Sequence, residues 1–113
     1  MSTLEFTRND FPTVGVEIEL QLVDAETLSL SSSIEKLIAG LPPELADRVK
    51  PELLQGYMEI NTGICRTVAE VGEDLASTIT AVEREPDDLG LKLFWAATHP
   101  LSSWRSQEIT DND

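Results

Sequence analysis

Apolar and polar residues alternate without a miss over residues 13–22. Val14, Val16, Ile18, Leu20 and Leu22 fall on one side, and Gly15, Glu17, Glu19 and Gln21 on the other. A period of two over this length predicts a half-buried strand, with Glu17, Glu19 and Gln21 in a row on its polar face. Residues 24–27 read as a turn, and residues 28–30 as the start of a short returning strand. Ser31 to Ser33 offer N-cap hydroxyls ahead of Ile34, Leu37 and Ile38, with Gly40 in the C′ position of a short helix. Pro42 and Pro43 end that helix, and residues 44–49 read as one further helical turn. A second strand over residues 51–62 sets Tyr57, Glu59 and Asn61 on one face and Met58, Ile60 and Thr62 on the other.

Thr67 followed by Glu70 has the capping-box spacing, and Val68, Val71, Leu75, Ile79 and Val82 follow at steps of three and four. These predict the longest helix, residues 68–85, ended or kinked by Pro86, which lacks an amide hydrogen. Residues 91–97 form an apolar run of strand length leading into Thr98-His99-Pro100, and residues 101–113 are polar around Trp104. Residues 1–12 read as a flexible lead-in and 13–113 as one folded unit, a mixed α+β class with an antiparallel sheet and packed helices.

Charge narrows the function. The 113 residues carry 8 Lys and Arg against 21 Asp and Glu, a net charge of −13. Such a chain repels phosphates, so nucleic acid and anionic membranes are not expected partners, whereas cations are. No run reaches the roughly 18 apolar residues of a membrane span. Cys65 is the only cysteine, which excludes an internal disulfide and suits a reducing, cytoplasmic compartment. It reads as a plain small residue in a turn, and Arg66 and Arg105 as surface charges. No glycine-rich phosphate loop is present.

The candidate chemistry lies in Glu17, Glu19, Glu52 and Glu59. Carboxylates at i and i+2 of a strand point the same way, with Cα atoms about 6–7 Å apart. Taken alone, such a pair reads first as a solvated sheet face. If the strand bearing Glu59 pairs beside the first, three or four carboxylates converge, and oxygen ligands in that number suit Mg²⁺ or Mn²⁺. His99 reads as a structural residue at a strand end, or as a contact to a substrate anion.

Three blocks in order resemble one family. Thr13-Val-Gly-Val-Glu17-Ile-Glu19-Leu-Gln-Leu-Val-Asp24 is similar to the opening strand of the type 2 glutamate–cysteine ligases, or carboxylate–amine ligases. Glu52 through Tyr57-Met-Glu59-Ile-Asn61-Thr62 resembles that family's second acidic strand, and Thr98-His99-Pro100, Trp104 and Gln107-Glu-Ile-Thr110 its third block. The resemblance implies a glutamine-synthetase-like fold whose sheet presents carboxylates to Mg²⁺ or Mn²⁺ ions that hold ATP. The glutamate γ-carboxylate takes the γ-phosphate as an acyl phosphate, and the amine of cysteine, or another small amine, displaces it. By position, Glu17, Glu19, Glu52 and Glu59 would be metal ligands, and Asn61, Thr62 and His99 substrate or phosphate contacts. Family members are several times longer, so the resemblance implies an N-terminal portion of such a ligase, incomplete in fold and inactive alone. The competing expectation is a non-catalytic acidic module that binds divalent cations, or a homo-oligomer assembled through an unpaired sheet edge.

Overall fold

A computed structural model of the chain describes residue 4 and residues 7–111. The expected lead-in thus falls partly outside the described residues, and its residues 7–12 carry no regular structure. The alternating segment forms β1 (Glu17–Asp24), displaced toward its C-terminal end from the expected 13–22. Two neighbours account for the shift. Strand β3 (Tyr57–Asn61) pairs with residues 17–21, and β4 (Leu91–Phe94) with residues 21–24, so β1 is central and its last half is enclosed. Gln21, Leu22 and Val23 are therefore all buried, which is where the alternation of polar and apolar residues stops. Before Glu17 the pairing continues as single contacts: the Val16 amide donates to the Thr62 hydroxyl, and Val14 bridges Cys65.

The expected second strand is two strands. Strand β2 (Val49–Pro51) pairs antiparallel with β3, and residues 52–56 connect them. Val49 belongs to β2, not to the preceding helical turn, which ends at Ala46. Pro51 offers no amide hydrogen and is accommodated because β2 is an edge strand. The sheet order is β2-β3-β1-β4, entirely antiparallel, and with its helices it forms the α+β arrangement that the pattern predicts.

Helices α1 (Ile34–Gly40), α2 (Pro43–Ala46) and α3 (Val68–Val82) supply the other half of the core. Leu20, Leu22, Met58, Ile60 and Val49 from the sheet join Ile34, Leu37, Leu41, Leu45 and Val82 in one cluster. Each large side chain so buried contributes roughly 1.5–3 kcal/mol. Because residues opposite one another in a sheet share a face, this core lies on one side and Glu19 and Glu59 on the other.

Several local expectations are corrected. Helix α1 has Ser33 at its N-cap, but the Ser33 hydroxyl bonds that of Ser31; the Gln55 carbonyl instead accepts from the Ser33 and Ile34 amides. Gly40 is the last residue of α1, and an extended Leu41 caps it without a left-handed turn. Thr67 does cap α3, accepting from the Glu70 amide, while the Glu70 carboxylate accepts from Arg66. Helix α3 stops at Val82, and Pro86 sits in a separate turn, α4 (Glu85–Asp88), where its missing donor is harmless. Val68 belongs to the first turn, beyond the packed stretch, and is 84% exposed. Cys65, expected in a turn, is buried and bridges Val14 instead.

The polar C-terminal stretch is tied down. A single 3-10 turn (Trp104–Ser106) precedes Ile109, which bridges Leu54, and Thr110, which is buried. The approach is close at Gly56, where an added Cβ would lie 2.5 Å from the Gln107 side-chain oxygen. No helix among the described residues is long and apolar enough to cross a membrane.

Candidate metal centre

Pairing register, not sequence proximity, makes the site. Glu19 in β1 stands directly opposite Glu59 in β3, and Glu52 follows the end of β2 on the other side of β3. One carboxylate oxygen from each of Glu19, Glu52 and Glu59 lies within 4.8 Å of the other two. Glu19 and Glu52 border a shallow cleft of about 150 Å³ that Leu53, Leu54 and Tyr57 also line. Glu19 is exposed, whereas Glu52 and Glu59 are half-buried.

Each acid is held differently. The Asn61 side-chain amide donates to Glu59 Oε1 at 2.6 Å, which leaves Oε2 for another partner. The segment bearing Glu52 is pinned by the C-terminal stretch. The Thr110 hydroxyl donates to the Glu52 carbonyl at 2.6 Å, the Thr110 amide to the Leu53 carbonyl, and the Gln55 amide to the Glu108 carbonyl. Two residues along β1 from Glu19, the Gln21 side-chain amide donates to the Tyr57 hydroxyl at 3.0 Å, on a residue pair that is in direct register.

Burial, first, and then hydrogen bonding to the Glu59 carboxyl and the fields of Glu19 and Glu59 push the Glu52 carboxyl above its ordinary range, against a lowering contact from the Leu53 amide. A divalent cation would offset the part of this shift that the fields of Glu19 and Glu59 contribute. The donor set is all carboxylate oxygen, which fits a hard ion such as Mg²⁺ or Mn²⁺ and not a thiolate- or imidazole-preferring one.

The other expected residues lie apart from this group. Glu17 is exposed at the start of β1, opposite Asn61, and is not among the three converging acids. The Thr62 hydroxyl accepts from the Val16 amide. His99 packs on Phe94, with ring centroids 5.6 Å apart, and Phe94 stands opposite Gln21, toward the far end of β1 from Glu17. Its Nδ1 accepts from the Leu101 and Ser102 amides, so Nε2 carries the proton and donates to the Leu28 carbonyl at 2.8 Å. That bond clasps Leu28, the one non-glycine among the described residues with a positive φ, at 58°.

Sequence reasoning missed four participants. Lys50 stands opposite Glu59 on β2 and is exposed, but it was hidden by the helical reading of the residues before it. Arg48 and Asp74 form an ion pair at 3.0 Å beside Asn61, and Thr110 anchors Glu52; no periodicity marks either contact.

An antiparallel sheet with helices on one face and gathered carboxylates on the other defines the class of site, and comparison with known proteins gives the family. The model of the glutamate–cysteine ligase family 2 matches residues 13–113. A protein of Mycolicibacterium paratuberculosis named "Putative glutamate--cysteine ligase 2" is 43% identical over 108 residues, covering 96% of this chain and 28% of that protein. Proteins of the same name from Thermobifida fusca and Gloeobacter violaceus are 42% and 39% identical, each over at least 95% of this chain. The chain belongs to the glutamate–cysteine ligase family 2. It spans about 28% of the length of the first two of these relatives and 30% of the third.

Proposed function

We propose that this chain supplies the first metal-binding acids of an ATP-dependent carboxylate–amine ligase, with Glu19, Glu52 and Glu59 as ligands of Mg²⁺ or Mn²⁺ and with Glu17 at the margin of the same face. The reaction joins the γ-carboxylate of glutamate to the amine of cysteine, or of another small amine, through an acyl phosphate, in a cytoplasmic setting. The fold to which it would contribute is glutamine-synthetase-like. The observation that carries the reading is the convergence of three carboxylates on the open face of the sheet, in a chain of this ligase family.

A metal bound there would hold the ATP phosphates and neutralise charge that develops as phosphate is transferred. The chain's own residues orient the acids. Asn61 fixes one oxygen of Glu59, Thr110 holds the backbone at Glu52, and Gln21 bonds Tyr57 two residues along the sheet from the opposed Glu19 and Glu59. Thr62 and His99, bonded to backbone partners and apart from the three acids, are proposed as outlying substrate or phosphate contacts. As a segment well under half the length of its relatives, the chain is proposed to bind metal but not to complete the reaction alone.

A Mn²⁺ titration followed by electron paramagnetic resonance tests this. Stoichiometric binding by the native chain, lost in Glu59→Gln, is expected. Equal weak binding by both would reduce the site to diffuse attraction by the −13 net charge and reject the assignment.

A further inference from the structure

The contacts around Asn61 extend away from the acidic face to a second carboxylate on the helical side. Asn61 is the last residue of β3, and its side chain reaches Glu59 Oε1. Its backbone is held on both sides by one residue. The Asn61 amide donates to the Arg48 carbonyl at 2.8 Å, and its carbonyl lies 3.4 Å from Arg48 Nη1. The same Nη1 is 3.0 Å from Asp74 Oδ2 in α3, and that oxygen also accepts from the Gly63 amide at 2.8 Å. The Thr78 hydroxyl donates to Asp74 Oδ1 at 3.4 Å.

Asp74 thus holds the chain directly after Asn61, through Gly63, and indirectly at Asn61, through Arg48. The backbone amide of Gly63, first, and then Arg48 keep the Asp74 carboxyl below its ordinary range, so it stays ionised at neutral pH. Space is tight here: a Cβ on Gly63 would lie 3.2 and 3.3 Å from the two Arg48 guanidinium nitrogens and 3.3 Å from Asp74 Oδ2, so the ion pair would have to give by a few tenths of an ångström.

We infer that Arg48 and Asp74 are positioning residues for the metal site, acting through Asn61 to fix the rotamer of Glu59; the inference rests on the metal reading above. A carboxylate free to turn must lose that freedom on binding an ion, whereas one already held by a fixed donor binds with less loss. Arg48 fixes the backbone that aims the donor, and Asp74 fixes Arg48. Loss of outer-sphere support of this kind weakens metal binding about 10- to 100-fold.

The test is a set of Mn²⁺ titrations on the full chain, each run well below the variant's own melting temperature. Native protein, Glu59→Gln, Asn61→Ala, Asp74→Asn, Arg48→Met, Arg48→Lys and the Asn61→Ala/Asp74→Asn double variant are compared. Asp74→Asn and Arg48→Met are expected to weaken binding about 10- to 100-fold and to broaden the Mn²⁺ spectrum, with partial recovery in Arg48→Lys. In the Asn61→Ala background, Asp74→Asn is expected to add nothing further, because its route to Glu59 is already cut. A purely structural role lowers the melting temperature without this non-additivity. Native affinity and spectrum in Asp74→Asn, with binding still lost in Glu59→Gln, would overturn the positioning role and leave the metal reading standing. No binding by the native chain, or none of it lost in Glu59→Gln, overturns both.

Discussion

The two faces of one sheet are built from the same two strands and do opposite things. Leu20, Leu22, Met58 and Ile60 point one way and are at most 1% exposed; Glu19, Gln21, Tyr57 and Glu59 alternate with them and point the other. The first set is chosen by burial and stabilises the fold. The second sets two acids directly opposite one another, an arrangement that costs stability. The difference teaches that the apolar core lies on the helix-covered face, although Gln21 on the other face is buried too. Polar residues on the open face are then free to be arranged for a ligand.

The strongest way to break this comparison is to damage the supporting face. Ile60→Ala is expected to cost about 2–5 kcal/mol, read from urea unfolding, a large part of the stability of a domain this size. A loss as small as that of a surface substitution would mean that the covered face is not what holds the sheet together.

Next in size, the two sides should respond oppositely to acid. Asp74, at the junction of α3 with the end of β3, has a folded pKa below its ordinary value of 3.8, so its contribution is complete above that value and is lost as pH falls through the lower folded one. Glu52 has a folded pKa above its ordinary value of 4.5; its contribution is present below that value and is lost as pH rises through the raised one. In thermal melts without divalent metal, Asp74→Asn should therefore flatten the acid limb of the stability profile. Glu52→Gln should instead flatten the decline on raising pH through the range just above 4.5. Profiles altered alike by both variants would contradict the opposed assignments.

The smallest effect has the most telling sign. Removing one of two opposed charges by Glu59→Gln is expected to raise metal-free stability by about 0.2–1 kcal/mol in chemical unfolding, while the core face is untouched. A loss of stability instead would show that Glu59 supports the fold as well as the site.

Much of the covered face was legible in the sequence because local periodicity encodes it. The alternation before Leu22, the faces of residues 57–61 and the capping of α3 all follow from neighbours in the chain. Strand β2 was not legible, since three residues ending in proline carry no period and only pairing with β3 defines them. The same limit applied to the site. The acids Glu19, Glu52 and Glu59 were visible as residue types, but the register that opposes Glu19 to Glu59 is a long-range fact. So are the ties from Thr110 to Glu52 and from Asp74 to Gly63. His99 shows the converse: a residue type that invites a chemical role is held by three backbone groups.

Cys65 gives the molecule a clock of its own. The single thiol is 3% exposed, and its backbone is closed against Val14 by bonds of 2.8 and 2.9 Å, just past the acidic end of β1. A thiol reagent can reach the sulfur only while that seam is parted, so the rate of labelling counts its openings. One covalent reaction, at the sole cysteine of the chain, times the breathing of the sheet's rim without any engineered probe.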